Sequence, residues 1–168
     1  VIRIQIADGS GPFSSGADFI QVRDHKAPAR DLARMVREAM QFAPVLVNDR
    51  ADVAVACGAA GVHLRSGSIA PAEIKRWARF VVSVSCHSAA DVQRAEAEGA
   101  DYAILAPVFS PLSKKDSRGP LGVEVLRRIS AGSGIPVIAL GGITESNIAD
   151  CIEAGAAGVA GITLFRRT

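Results

Sequence analysis

A chain of 168 residues, 49% hydrophobic and 21% charged, is long enough to bury one sizeable core, read as a single domain over residues 1–168. A net charge of +2 is too mild for a protein built around nucleic acid or an anionic membrane surface, and no apolar run reaches the ~20 residues a bilayer span needs. Nothing reads as a signal peptide, and Cys57, Cys86 and Cys151 are too widely spaced for a metal-ligand pattern, so reduced thiols in a cytoplasmic protein are expected.

Val1–Ala7 reads as an apolar strand, closing on Asp8-Gly9-Ser10-Gly11. Asp18–Arg23 is a second strand, with Gln21 and Arg23 on one face and Ile20 and Val22 on the other. In Pro28–Phe42, Leu32, Met35, Val36 and Ala39 recur at helical spacing while Arg30, Arg34 and Arg37 take the wet face. Pro44–Val47 is a third strand, followed by Asn48-Asp49-Arg50 and a short helix, Ala51–Cys57, stopped by Gly58. The alternation continues with strand Gly61–Leu64, helix Pro71–Ala78, strand Phe80–Ser85 and helix Ala89–Glu98, which Ser88 can cap. Strand Asp101–Ala106 leads into a long polar loop, Pro107–Leu121. Helix Val123–Ser130, strand Val137–Leu140, helix Glu145–Ala154 and strand Gly158–Ile162 complete the series.

A Gly-Ala pair stands before every second strand, at Gly16-Ala17, Gly58-Ala59, Gly99-Ala100 and Gly155-Ala156. Eight strands alternating with helices predict a (β/α)8 TIM barrel rather than an open doubly wound sheet, which normally has fewer strands and an early Gly-rich fingerprint. Only Asp8–Ala17 separates the first two strands, and its Gly, Ser and Pro make a poor helix, so either the first helix is lost or this sequence lacks part of the crossover. Little chain follows the eighth strand. The barrel is therefore expected to be abbreviated around its first helix and at its C-terminus, since ~250 residues are typical.

Barrel chemistry sits where strands end and the following loops begin. Those ends carry Gln21, Arg23, Asn48, Asp49, His63, Ser85, His87, Ser113, Lys114, Gly141, Gly142 and Thr163. Each alone has a plain alternative: Asn48 or Asp49 as a helix cap, His63 and His87 as satisfied core histidines, Lys114 as a solvated loop residue. Cys86-His87 is a poor nucleophilic dyad because neighbours in a strand face opposite ways, whereas Ser85 and His87 share a parity and a common mouth-facing side. Gly141-Gly142 lets a ligand approach backbone N–H groups, and a helix starting near Thr144 would add oriented donors for an anion. Together these imply a site for phosphorylated small molecules, with Asp49 most useful as a ligand for Mg²⁺.

In this order the motifs resemble the thiamin phosphate synthase / TenI family of small (β/α)8 proteins. The likeness is carried by Ile20-Gln-Val-Arg-Asp24, Val47-Asn-Asp-Arg-Ala-Asp-Val53, Gly61-Val-His-Leu64, Ser85-Cys-His-Ser88, Pro107-Val-Phe109 with Ser113-Lys114, and Ala139-Leu-Gly-Gly-Ile143 with Asn147. The resemblance implies a transferase that joins hydroxymethylpyrimidine diphosphate to thiazole phosphate, releasing pyrophosphate. It implies that Gln21, Arg23 and Asn48 hold the pyrimidine substrate, Asp49 binds Mg²⁺, and Ser85 and Lys114 meet the pyrophosphate. Ser113 matches a loop Thr or Ser, and Gly142, Ile162 and Thr163, beside Gly141, hold the thiazole phosphate.

The chain also departs from that pattern. His25 stands where the family has Lys, with Lys26 one place late. Ser68 replaces a second magnesium carboxylate, Arg65 a Gly, and Pro111 a Thr. A neutral Ser weakens a Mg²⁺ site, and Arg65 offers a cation that would hold a phosphate in its stead. TenI-like thiazole tautomerases share the loss of magnesium features, but use a His where this chain has Pro107. The alternatives to the synthase are therefore such a tautomerase, or a non-catalytic binder of thiazole or thiamin phosphate. A homo-oligomer is compatible with any of these readings.

Overall fold

The computed structural model describes residues 1–8, 11–110 and 119–165. Its eight strands are β1 (Ile2–Asp8), β2 (Phe19–Arg23), β3 (Val45–Asn48), β4 (Gly61–Leu64), β5 (Val81–Cys86), β6 (Tyr102–Leu105), β7 (Val137–Leu140) and β8 (Gly158–Gly161). All neighbours pair in parallel, and β8 returns to β1 to close the barrel. Outside lie α1 (Ala29–Ala39), α2 (Ala51–Cys57), α3 (Pro71–Lys75), α4 (Ala89–Ala97), α5 (Val123–Ala131) and α6 (Ile148–Glu153).

The strand period of two sorts each strand's side chains between two cores. Outward-facing Val22, Val47, Val62, Val82 and Leu105 join Leu32, Val36 and Leu126 of the helices in the larger one. Inward, Ile4, Ile6, Ile104, Ile138 and Ala160 form a separate apolar cluster on β1, β6, β7 and β8. The strands opposite bring Gln21, Asn48, His63 and Ser83 into the interior, all buried. The buried polar groups of the interior thus lie on β2 to β5, beside the apolar Leu46, and the aliphatic cluster on the other four strands.

The Gly-Ala pairs work as helix stops at three of their four positions. Gly58, Gly99 and Gly155 adopt left-handed φ values of 67°, 88° and 87°. The alanine after each donates its N–H back to Ala54, Ala95 and Cys151 respectively, the Schellman pattern that satisfies orphan carbonyls. Gly16 is not left-handed, because no helix precedes it. The expected loss of the first helix is seen: among the described residues the β1–β2 crossover has none. In its place the buried Gln5 side chain faces outward from β1, donating to the Pro12 carbonyl at 2.7 Å and accepting from the Ser14 N–H at 2.8 Å. An amide there tethers an irregular segment whose backbone has no ladder of its own.

The last helix starts later than its pattern suggests. Residues 143–147 form a turn in which Asn147 Oδ1 accepts from the Thr144 N–H at 2.9 Å and Nδ2 donates to the Gly142 carbonyl at 3.0 Å. α6 begins only at Ile148, so the helix N-terminus expected beside the paired glycines is displaced from them.

Candidate active site

Neighbouring strand ends assemble a continuous polar chain across β2, β3 and β4. Gln21 Nε2 donates to Asn48 Oδ1 at 2.9 Å, and Asn48 Nδ2 donates to Asp49 Oδ2 at 3.0 Å. Asp49 Oδ1 accepts from the Arg65 backbone N–H at 3.1 Å, and Oδ2 lies 2.7 Å from Arg65 Nε in an ion pair. Asp49 alone among the described non-glycine residues has a positive φ, 55°. That backbone costs on the order of 1 kcal/mol for an L-residue, and the side-chain bonds to Asn48 and Arg65 hold it there. Gln21 Oε1 is buried with no hydrogen-bond partner. An orphaned acceptor in the interior is costly unless something else supplies a donor.

Arg23 is held by Asp8, Nε to Oδ1 at 3.0 Å and a terminal nitrogen to Oδ2 at 3.1 Å. The register places Asp8 opposite Arg23, so both stand at the rim. Inside, His63 bridges two β5 hydroxyls: Nδ1 lies 2.8 Å from Ser83 Oγ and Nε2 2.8 Å from Ser85 Oγ. Burial first, and the nearby Arg23 cation second, push its pKa down to about 3, which keeps the ring neutral. A neutral ring must accept at one nitrogen and donate at the other. His63 is therefore a satisfied interior histidine and also the support of Ser85.

The expectation that Ser85 and His87 share the mouth fails. β5 ends at Cys86, so strand parity no longer governs His87, whose Nδ1 pairs with the Ala106 carbonyl at 2.8 Å while its backbone N–H donates to Asp91 at 2.9 Å. Cys86 is buried, and burial pushes its thiol up to about 12, which removes the neighbouring nucleophile too.

At the ends of β7 and β8 the glycines behave differently from expectation. Gly141 and Gly142 have φ values of 96° and 63°. A Cβ on Gly141 would come within 2.7 Å of Pro107 Cα, and one on Gly142 within 2.7 Å of Phe109 Cβ and against the Ser110 carbonyl. The open side made by the missing Cβ atoms is thus filled by the chain's own residues 107–110, which also donate from Val108 to Leu140 at 2.8 Å and from Phe109 to Gly141 at 3.0 Å. What remains for a ligand is the backbone: among the described residues no acceptor takes the N–H of Gly141, Gly142, Ile162 or Thr163.

Ser113, Lys114 and Pro111 lie outside the described residues. Two residues escaped the sequence reading. Ser83 is fully buried, and its signal was a polar residue alternating with Val82 and Val84; Gln5 stands among isoleucines on β1.

The surroundings of Asp49 are those of an incomplete Mg²⁺ site, in keeping with the departure at Ser68. Ser68 supplies no carboxylate, and both Asp49 oxygens already face Arg65, one through its backbone and one through its guanidinium. Among the described residues no three His, Cys, Asp or Glu side chains converge as a metal site.

A closed eight-stranded parallel barrel defines the class: a small TIM-barrel protein, with candidate polar groups gathered at the C-terminal ends of its strands. The family model described as thiamine monophosphate synthase matches residues 11–165, and the chain belongs to that family. It is 45% identical over 157 residues to a thiamine-phosphate synthase of Methanoculleus marisnigri, covering 89% of this chain and 74% of that one. A putative thiamine-phosphate synthase 2 of Aquifex aeolicus is 38% identical, over 89% of this chain and 83% of its own. The solved thiamine phosphate pyrophosphorylase of Pyrococcus furiosus superposes with a TM-score of 0.78 at 31% identity, covering 96% of this chain and 85% of that one. No helix among the described residues is long and apolar enough to cross a membrane.

Proposed function

We propose that the chain is a thiamin phosphate synthase-type transferase, joining hydroxymethylpyrimidine diphosphate to thiazole phosphate in a cytoplasmic setting. The methylene–oxygen bond of the pyrimidine substrate breaks, pyrophosphate departs with the electron pair, and the thiazole nitrogen lone pair forms the new carbon–nitrogen bond. The catalyst must hold two heterocycles in line and stabilise charge on the leaving diphosphate.

The observation that carries this reading is the orphaned acceptor Gln21 Oε1, buried in the barrel interior beside Asn48. An aminopyrimidine supplies the missing N–H donor, and Gln21 and Asn48 hold each other in place to receive it. Arg23, fixed by Asp8, and Ser85, fixed by His63, face the diphosphate, with Lys114 and Ser113 added by family resemblance. The unpaired N–H groups at Gly142, Ile162 and Thr163 receive the thiazole phosphate, beside Gly141. Pro107 offers no acid or base for a tautomerase.

The test is pyrophosphate release with thiamin phosphate formation when both substrates are supplied. Gln21→Leu is expected to lower kcat/KM for the pyrimidine substrate by about 10- to 100-fold, the value of a buried hydrogen bond and the group left unpaired. Turnover of the thiazole ligand alone, or binding without product, would overturn the assignment.

A further inference from the structure

We propose that Arg65 is the resident cation of the diphosphate subsite, so that this barrel binds its anion without a divalent metal. Asp49 is the carboxylate a metal would require, and its Oδ2 is instead paired with Arg65 Nε at 2.7 Å. The pair is asymmetric in a way that suits a ligand-holding cation. The Asp49 side chain is 16% exposed and anchored through Asn48 to Gln21, whereas the Arg65 side chain is 73% exposed. Asp49 therefore acts as the fixed point and Arg65 as the presented group.

Among the described residues the terminal nitrogens of Arg65 have no hydrogen-bond partner, although Nε is engaged. Those nitrogens form a planar fork matched to two oxygens of a phosphate, an interaction Lys reproduces only as a point charge. Arg65 follows β4 immediately and Asp49 follows β3, so the guanidinium is tethered at the mouth, joined by the same hydrogen-bonded chain to Gln21. Ser68 fits this arrangement, because a second carboxylate would oppose the anion once no metal stood between them. A guanidinium stays charged throughout the physiological range and needs no free metal, so leaving-group binding becomes independent of chelators.

The choice of diphosphate as the occupant rests on the synthase reading; the role of Arg65 as the cation does not. Calorimetric titration of the full chain with inorganic pyrophosphate, in EDTA and in excess Mg²⁺, tests it. The wild type should bind in EDTA within about threefold of its affinity in Mg²⁺, and Arg65→Gln should lose about 10- to 100-fold in EDTA. Arg65→Lys should recover part of that loss, which a purely structural role at so exposed a position would not produce. Wild-type binding that appears only with Mg²⁺, or Arg65→Gln binding unchanged in EDTA, overturns the proposal. Metal-free pyrophosphate binding that needs Arg65, in a protein that makes no thiamin phosphate, supports the cation and sinks the synthase. Product formation that is strictly Mg²⁺-dependent and indifferent to Arg65→Gln does the reverse.

Discussion

Replacing His63 by Gln should flatten the acid side of the stability profile. In the folded chain the imidazole has a pKa of about 3, against an ordinary value of 6.5, because it is buried between Ser83 and Ser85 with Arg23 nearby. The unfolded chain therefore binds a proton that the folded chain refuses throughout that interval. This contribution is fully present above about pH 6.5 and is lost as pH falls towards 3. From pH 7 to pH 5 the unfolded ring goes from mostly neutral to almost fully charged, and the loss is about 2 kcal/mol. Urea unfolding followed by circular dichroism at both pH values, for wild type and His63→Gln, isolates the term as a difference of differences. Gln keeps hydrogen-bonding capacity towards both serines but cannot titrate. Equal pH dependence in the two proteins would mean that His63 is not held neutral in the barrel, and the account of Ser85 as a fixed hydroxyl would fall with it.

Gly142→Val should lower stability by at least ~2 kcal/mol, because it places a β-branched residue at φ 63° against Phe109 and the Ser110 carbonyl; an unchanged melting temperature would refute that packing. Gln5→Ala should cost about 1–2 kcal/mol through the loss of its bonds to Pro12 and Ser14, read by chemical denaturation, and a neutral result would show that the crossover holds itself. Alkylation of the native protein by iodoacetamide near pH 8, mapped by mass spectrometry, should mark the half-buried Cys57 and spare Cys86 and Cys151, whose thiols are buried and pushed upward in pKa. Labelling of Cys86 at the rate seen in urea would contradict the core described above.

The barrel was legible because its signals are local and repeated. Apolar strands with β-branched residues, helices of 3.6 periodicity and Gly-Ala stops each depend on a few consecutive residues, and the boundaries of α2, β4 and β7 agree with that reading residue for residue. The absent first helix was legible for the same reason, since Gly, Ser and Pro cannot form one. α6 was misplaced because its start is set by a side chain, Asn147, reaching back to Gly142 and Thr144. His87 was misplaced because parity ends where the strand ends.

Gln21, Arg23, Asn48, Asp49 and Ser85 were recognised as candidates from their places at strand ends, but their partners were not. A sequence shows which residues stand at the ends of strands, because that follows from chain order and local propensity. It does not show that Asp8 holds Arg23, that His63 holds Ser85, or that the glycine face is packed by residues 107–110. Nor does it reveal that the carboxylate of Asp49 already meets a cation from the neighbouring strand end. Those contacts join distant stretches of chain, so barrel closure and register alone decide them. Local patterning is enough for a (β/α)8 barrel with polar strand ends; the pairing of Asp49 with Arg65, and the separation of the interior aliphatic cluster from the buried polar groups, depend on closure and register and so appear only in the folded barrel.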